Sequence, residues 1–572
     1  MSLAPSVLEP GGLLARSFHD YEDRPGQRRM AAAVERALES EGVALIEAGT
    51  GTGKTLAYLI PAALSGLRVV ISTGTKALQD QIYRSDIPLV QELIDRPFEA
   101  QVVKGTANYL CRRRFSELMV TPNDPKTTEI LHRLDEWSMD SPTGDRAEVA
   151  GMEDDSSLWA KVSTSADGRL GGRCPHFERC FVTRARRRAE AADIVVVNHH
   201  LFFADLAVRT FGESAKVLPD YDAVIFDEAH LIEWALTEHF AAAVSTGGFN
   251  RLHTELLSLS RRLGGQRGGL WAPDRGLEAH VKDLETAWRR LVAEIRSQIG
   301  SGRSRLDDGL FAGGPVESAW YGVDNHLATI GRALEDRADE REDTPGSEAQ
   351  LFARRTGNLR EALAKVADPN DHNYVRFGEV SGPRLTLKAA PVDVSTLFGN
   401  LLLDQGKAVV LTSATLSCAG SFEFVRHRLG IEVDRADELR IESPFEYDRQ
   451  ALLYVATDLP DPREEDYPAA CVARIAELVD ITGGRTLSLF TSHRLLSRAA
   501  RDLREWLDYP VLVQGDAPPA LLLEEFRRAD ESVLLATGTF WQGIDVPGEA
   551  LSQVIIDKLP FSPPDDPLSA AR

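Results

Sequence analysis

The stretch "EAGTGTGKT" (47–55) decides the reading of the chain, because its flanks turn a glycine-rich loop into a defined strand–loop–helix unit. It overlaps the end of "VALIEA" (43–48), a short and almost continuously apolar run of the kind that forms a strand covered on both faces, and an apolar helical pattern follows it. Ala48 takes the first glycine slot of a phosphate-binding loop, and Gly49, Thr50, Gly51, Thr52 and Gly53 complete the loop. Such glycines let backbone N–H groups curl around phosphate oxygens with no Cβ in the way. Lys54 supplies a cation for the outer phosphates, and Thr55 offers a hydroxyl to Mg²⁺. The positive end of the following helix points at the same place. A plain glycine-rich turn would need neither the strand nor the helix.

Downstream, "VIFDEAH" (224–230) carries apolar residues to a strand end where Asp227 and Glu228 emerge. A carboxylate there can hold Mg²⁺, directly or through water, and its neighbour can orient and deprotonate an attacking water. The competing reading, two carboxylates capping the next helix, is the weaker one beside a phosphate loop. The two motifs together specify a nucleoside triphosphatase and no more.

Further apolar runs extend the pattern: "VVIST" (69–73), "DIVVVNHH" (193–200) and "AVVLTSAT" (408–415), then "RTLSLFTS" (485–492), "VLVQG" (511–515), "SVLLATGT" (532–539) and "QVIIDKL" (553–559). Strands of this kind, separated by helical patterns, predict two parallel sheets and hence two α/β domains. Two stretches break the rhythm. Residues 101–192 show little strand pattern and hold three of the five cysteines, and residues 236–385 read as helical. Leu277, Val281, Leu284, Trp288, Leu291 and Ile295 line one face of an amphipathic helix, and Leu327, Ile330 and Leu334 repeat the step. "LEDRADEREDTPGSEAQ" (334–350) reads as an exposed connection.

At 572 residues and 43% apolar content, the chain is too long for one domain and ample for a buried core. Five cysteines exclude a disulfide scaffold. With no run of about 18 apolar residues and no basic-then-apolar leader, the sequence predicts a cytoplasmic protein with no membrane span. A net charge of −22 means that any nucleic-acid affinity must come from a local groove. The densest basic cluster, "RARRR" (184–188), reads in isolation as a solvated helix face.

A phosphate loop, a DEAH box and "LTSAT" (411–415), in this order, resemble a superfamily 2 helicase. "YEDRPGQRRM" (21–30) is similar to the adenine-reading segment of such proteins, with Arg24 and Gln27 as the matching residues. "STGTKALQDQI" (72–82), with Thr73 and Lys76, resembles a segment that grips the nucleic-acid backbone. "ATGTFWQGIDVPG" (536–548), with Thr539, Trp541 and Asp545, resembles one that faces both DNA and ATP. "VKGTANYLC" (103–111), "NHH" (198–200) and "ESPF" (442–445) narrow the resemblance to the DinG/XPD family of iron–sulfur DNA helicases, from about residue 15 onward.

That resemblance implies two RecA-like parallel-sheet motor domains, the second incomplete, with a cysteine-bearing helical insert and a helical arch insert. The divisions expected are residues 1–100, 193–235 and 386–440 for the first motor domain, 101–192 and 236–385 for the two inserts, and 441–572 for the second motor domain. It implies an ATP- and Mg²⁺-dependent motor that moves 5′ to 3′ on single-stranded or forked DNA in repair or replication. Ser413, Thr415 and His230 would pass the nucleotide state to the DNA side. The family's QxxGRxxR-like segment, whose arginines reach ATP, has no counterpart before residue 572. The alternative expectation is therefore an ATP- and DNA-binding module with little turnover.

The resemblance also implies a [4Fe–4S] cluster on four cysteines. Cys111, Cys174 and Cys180 map onto three of them, Arg169 stands at the fourth position, and Cys418 and Cys471 read as bystanders. Arginine is not an iron ligand. A three-iron cluster, a four-iron cluster completed by His176 or water, and loss of the cluster with the fold kept all remain open. Beside an insert that in the family wedges the duplex apart, the run 184–188 would be placed to track a displaced strand.

Overall fold

The computed structural model describes residues 3–17, 21–121, 124–149, 156–211, 216–264, 275–339, 344–529, 531–541, 546 and 548–572. The chain divides into two compact units, one of residues 1–150, 156–444 and 564–572, the other centred on residues 445–563.

The first unit is built on a seven-stranded sheet in the order Ala436–Ile441, Val43–Ala48, Ala408–Ser413, Ala223–Asp227, Val69–Thr73, Ile194–Asn198 and Ala100–Val102. Every pairing in it is parallel. Alternate residues of each strand go to opposite faces, as the pleat requires. Ala44, Ile46, Ile71, Ile225 and Val410 pack under the helices Pro25–Ser40 and Lys54–Ser65. Leu45, Val70, Val224, Phe226 and Leu411 pack on the other side, with Phe202, Phe203, Leu236 and Phe398 from the helices there. Both faces are therefore covered, which is why the strands read as unbroken apolar runs. The two outermost strands lack that signature: "ADELRI" is half exposed and charged, and "AQV" is three residues long.

The second unit holds a four-stranded parallel sheet, Val511–Val513, Val533–Ala536, Thr486–Leu489 and Gln553–Ile556 in that order. The helices Tyr467–Thr482 and His493–Trp506 cover one face, and Leu522 and Phe526 cover the other. The two-sheet α/β architecture is thus present, with parallel order throughout both sheets.

The stretch read as helical over residues 236–385 is not wholly so. Helices Thr246–Gly264, Arg275–Gln298, Gly314–Asp339 and Thr344–Ala367 share one core that includes Leu277, Trp288, Leu327 and Ile330. That core is closed by an antiparallel sheet, Ala242–Ser245, Arg384–Pro391, Tyr374–Ser381 and Gly302–Arg305, which carries the insert to residue 391. Its hairpin has the alternation of a half-buried strand in "RLTLKAAP", where Leu385, Leu387 and Ala389 face the core. The expected exposed connection over 334–350 is replaced in large part by helix. One helix runs to Asp339, the next starts at Thr344, and Glu348 and Ala349 are buried. Glu348 tolerates burial because Arg113 and Arg262 both pair with it. The segment 564–572 belongs to the first unit: Arg572 pairs with Glu233 at 2.6 Å and donates to Thr237 Oγ1 at 2.5 Å.

Candidate active site and cysteine pocket

The loop after Ala48 is shaped by its glycines and by a partner helix. Gly53 has φ +77°, and a Cβ on it would stand 2.3 Å from Gln27 Nε2. Glycine is therefore required twice over, by conformation and by space. Gln27 is buried and its amide donates to Gly53 O at 3.0 Å. Arg24 Nη1 lies 3.7 Å from the same would-be Cβ, so the segment 21–30 and the loop 47–55 form one surface. Thr52 Oγ1 and Ser443 Oγ tie down Gly49 O and Thr50 O at 2.6 and 2.7 Å. Lys54 Nζ folds back on Ala48 O at 3.3 Å, within the loop it would leave to meet a phosphate.

Behind Lys54, Thr55 and Asp227 are joined through Tyr58. The Thr55 side chain hydrogen-bonds the Tyr58 hydroxyl, and that hydroxyl donates to Asp227 Oδ2 at 3.2 Å. Burial, reinforced by the charge of Glu228 and opposed by Lys54, pushes the Asp227 carboxyl up to about 7. An arriving cation would favour the ionised form, and a hydroxyl with a carboxylate is a hard-oxygen pair that suits Mg²⁺. The donors present therefore fit that ion.

Glu228 sits in the left-handed region, φ 58° and ψ 47°. A non-glycine residue pays to be there, and such strain concentrates at functional sites. Its N–H donates to Asp227 Oδ1 at 3.1 Å. Its Oε2 lies 3.4 Å from both Ser413 Oγ and His230 Nδ1, and those two meet at 2.8 Å. Thr415 N–H then donates to Ser413 Oγ at 3.2 Å. Burial holds the His230 imidazole below its usual range despite the Glu228 charge. The DEAH and "LTSAT" segments are thus one hydrogen-bonded unit.

The segment after Thr73 reaches this unit from another side. A Cβ on Gly74 would stand 2.7 Å from Leu231 Cδ1 and 3.4 Å from Glu228 Cβ. Thr73 Oγ1 braces the turn through Thr75, whose side chain caps the next helix. Lys76 Nζ donates to Asn108 Oδ1 at 2.7 Å, and burial together with nearby Lys104 holds its ammonium below the usual range. In the second unit Trp541 packs against the Leu522–Phe526 core and Thr539 falls in the turn Gly538–Phe540. Asp545 lies outside the described residues.

Four supporting residues are given no role by the sequence. Tyr58 hides in an apolar helix, outside every motif, while Ser72, His199 and Glu47 lie within motif segments. Ser72 Oγ meets the fully buried His199 Nδ1 at 2.7 Å, and burial pushes that imidazole down to about 3. Glu47 accepts from Leu416 N, Ser417 N and Ser417 Oγ at 2.5–2.8 Å, fixing the chain that leaves "LTSAT". Burial would raise its carboxyl, but the Ser417 and Leu416 hydrogen bonds prevail and hold it below the usual range. A lone carboxylate in "VALIEA" was the available signal.

Cys111, Cys174 and Cys180 line one cavity, together with Arg169 and Phe177. Their sulfurs do not all lie within the 4.8 Å that a single ion would need. Arg169 donates to Thr183 Oγ1 at 3.1 Å, which holds its guanidinium beside the Cys180 thiol. Burial alone would raise that thiol, but the Thr183 hydrogen bonds and the Arg169 charge lower it, whereas burial pushes Cys111 up. His176, the candidate fourth ligand, does not line the cavity. A four-thiolate [4Fe–4S] cluster does not fit this donor set: three thiols and two arginines, Arg113 and Arg169, line the space. The basic run beside it is largely spent internally. Arg186 is half-buried, Arg187 pairs with Glu178 at 2.7 Å, and Arg188 donates to Pro142 O at 2.7 Å. Cys418 is exposed and Cys471 buried in the second unit, both outside the pocket.

Residues 24–123 match the family model for a DEAD/DEAH box helicase, and residues 475–572 that for a helicase C-terminal domain. The chain is 35% identical to the ATP-dependent DNA helicase YoaA of Escherichia coli K12, over 98% of this chain and 86% of that protein. It is 33% identical to the ATP-dependent helicase DinG of Mycobacterium tuberculosis H37Rv, over 96% of this chain and 83% of that one. A solved structure titled as an XPD helicase shares the fold at 16% identity, with a TM-score of 0.55 over 96% of this chain and 87% of its own. No helix among the described residues is long and apolar enough to cross a membrane.

Proposed function

The chain belongs to the family of ATP-dependent DNA helicases that includes YoaA and DinG, and we propose that it hydrolyses ATP to move along single-stranded DNA and open forked duplexes. The observation that carries this reading is the continuous contact from the phosphate loop through Tyr58, Asp227 and Glu228 to Ser413 and His230.

In this scheme Lys54 swings from Ala48 O to the outer phosphates, and the loop N–H groups hold the rest. Gln27 and Arg24 close the adenine side. Thr55 and Asp227 would hold Mg²⁺, which would neutralise charge developing on the transferred phosphate. Glu228 accepts the proton of the attacking water, and its strained backbone keeps the carboxylate aimed. Ser413 and His230, hydrogen-bonded to each other and beside the Glu228 carboxylate, tie the base to the "LTSAT" segment. Thr73 and Lys76 contact the DNA backbone, and Gly74 packs against Glu228, so a shift at the base is felt where the strand is gripped. Thr539, Trp541 and Asp545 carry the matching contacts of the second unit. Translocation runs 5′ to 3′, in the service of repair or replication.

The test is ATP hydrolysis with and without single-stranded DNA, followed by strand separation on forks tailed at the 5′ or the 3′ end. We expect DNA-stimulated turnover and opening of 5′-tailed forks. Turnover indifferent to DNA would overturn the motor reading, and opening of 3′-tailed forks alone would reverse the polarity.

A further inference from the structure

We propose that His280, Asp283 and His326 form a binding site for a borderline divalent cation, Zn²⁺ foremost, that pins two helices of the second insert together. His280 and Asp283 lie three residues apart on the helix Arg275–Gln298, a spacing that puts both on one face. His326 faces them from the helix Gly314–Asp339. One ligand atom from each residue lies within 4.8 Å of the other two, so a single ion can reach all three. Among the described residues no other trio of His, Cys, Asp or Glu brings its donors this close.

The position is as telling as the spacing. Leu277, Val281 and Leu284 on the first helix, and Val323 and Leu327 on the second, are buried in the seam between the helices. The three donors stand at the rim of that seam. Both histidines are half-buried, and Asp283 is exposed. The rings lie 6.4 Å apart at 49° to each other, close but not stacked, so their packing is not what holds them together. Neighbouring charges are engaged elsewhere: Lys282 pairs with Glu278, Arg289 with Glu285, and Arg360 with Asp324. No arginine or lysine among the described residues pairs with Asp283.

The donor set selects the ion. Two imidazoles and one carboxylate suit Zn²⁺ and its first-row neighbours, whereas Mg²⁺ and Ca²⁺ prefer oxygen throughout. Three protein ligands leave one position to water. An ion here would cross-link the insert outside its apolar core, independently of both the ATP site and the cysteine pocket.

The probe is Co²⁺, competed by Zn²⁺, added to the full chain after chelator treatment and dialysis. We expect one equivalent with the visible ligand-field absorption of nitrogen and oxygen ligation. Thiolate-bound Co²⁺ is separated by its charge-transfer band, so binding in the cysteine pocket is scored apart. His326→Ala and His280→Ala should weaken the nitrogen–oxygen signal at least about tenfold, with Asp283→Asn weaker in effect and the thiolate band unchanged in all three. Zn²⁺ should also slow hydrogen exchange in both helices of the parent and not of His326→Ala. Absence of the nitrogen–oxygen signal in the parent, or an undiminished one in His326→Ala, would overturn the proposal. So would helices that exchange equally fast with and without Zn²⁺.

Discussion

The nucleotide site and the cysteine pocket lie in the same unit, and they are built on opposite principles. The first is made from short contiguous motifs placed at the ends of buried parallel strands. The sheet fixes where each strand ends, so "EAGTGTGKT", "FDEAH" and "LTSAT" meet because Val43–Ala48, Ala408–Ser413 and Ala223–Asp227 are sheet neighbours. The second is assembled from residues 111, 169, 174 and 180, which sit on short turns and helix starts with no sheet to register them. A scaffolded site keeps its full donor set as a block. In the site gathered from loops, Arg169 is held on Thr183 in the lining shared with the three thiols.

Experiments on the two regions sharpen this contrast. The largest effect is expected from Lys54→Ala, which removes the loop's cation from the outer phosphates. Turnover should fall about 10²–10³-fold with a further loss in ATP affinity, read as kcat and as ATP titration. Full DNA-stimulated hydrolysis in that variant would remove the loop from the reaction. In the pocket, Arg169→Cys should raise the iron content of anaerobically purified protein toward four per chain and strengthen the broad visible absorption of a [4Fe–4S] centre. A parent that already carries four irons stable in air would show that another donor completes the set, and the contrast would collapse.

Smaller effects probe the links between segments. Ser413→Ala removes the shared partner of Glu228 and His230. A hydrogen bond of this kind is worth about 0.5–1.5 kcal/mol, so the ratio of DNA-stimulated to basal turnover should fall up to about tenfold. Basal and stimulated rates that drop together would make Ser413 merely structural. Glu47→Gln weakens charge-assisted bonds worth about 1.5–3 kcal/mol, and its readout is local: faster hydrogen exchange at the Leu416 and Ser417 amides, with the sheet core unchanged.

The sequence carried the two sheets well because strands covered on both faces are apolar at every position, a pattern visible without tertiary information. The edge strands of the first sheet were not legible for the converse reason: "ADELRI" is charged where it meets solvent, and its pairing with Val43–Ala48 is a long-range event. The antiparallel hairpin Tyr374–Ser381 and Arg384–Pro391 was masked by the long helices before it, although "GEVSGPRLT" carries a turn signal between alternating residues. Motif residues of the nucleotide site could be read one by one. Their supports could not, since Tyr58 looks like core and Glu47 like an intrusion until the fold puts Asp227 beside one and Ser417 beside the other. At the pocket, the family resemblance pointed to three thiols, but only the structure places the Arg169 guanidinium beside Cys180 and leaves His176 out of the cavity.

The central claim is that Glu228, held in its strained conformation by Asp227 and Ser413, takes the proton of the attacking water. The most direct measurement is ATP binding and single-turnover hydrolysis by Glu228→Gln beside the parent, both saturated with single-stranded DNA. The amide keeps the shape and loses the base, so affinity should be nearly unchanged while the hydrolysis rate falls about 10²–10⁴-fold. A loss of affinity matching the loss of rate, or a rate close to the parent's, would contradict the assignment.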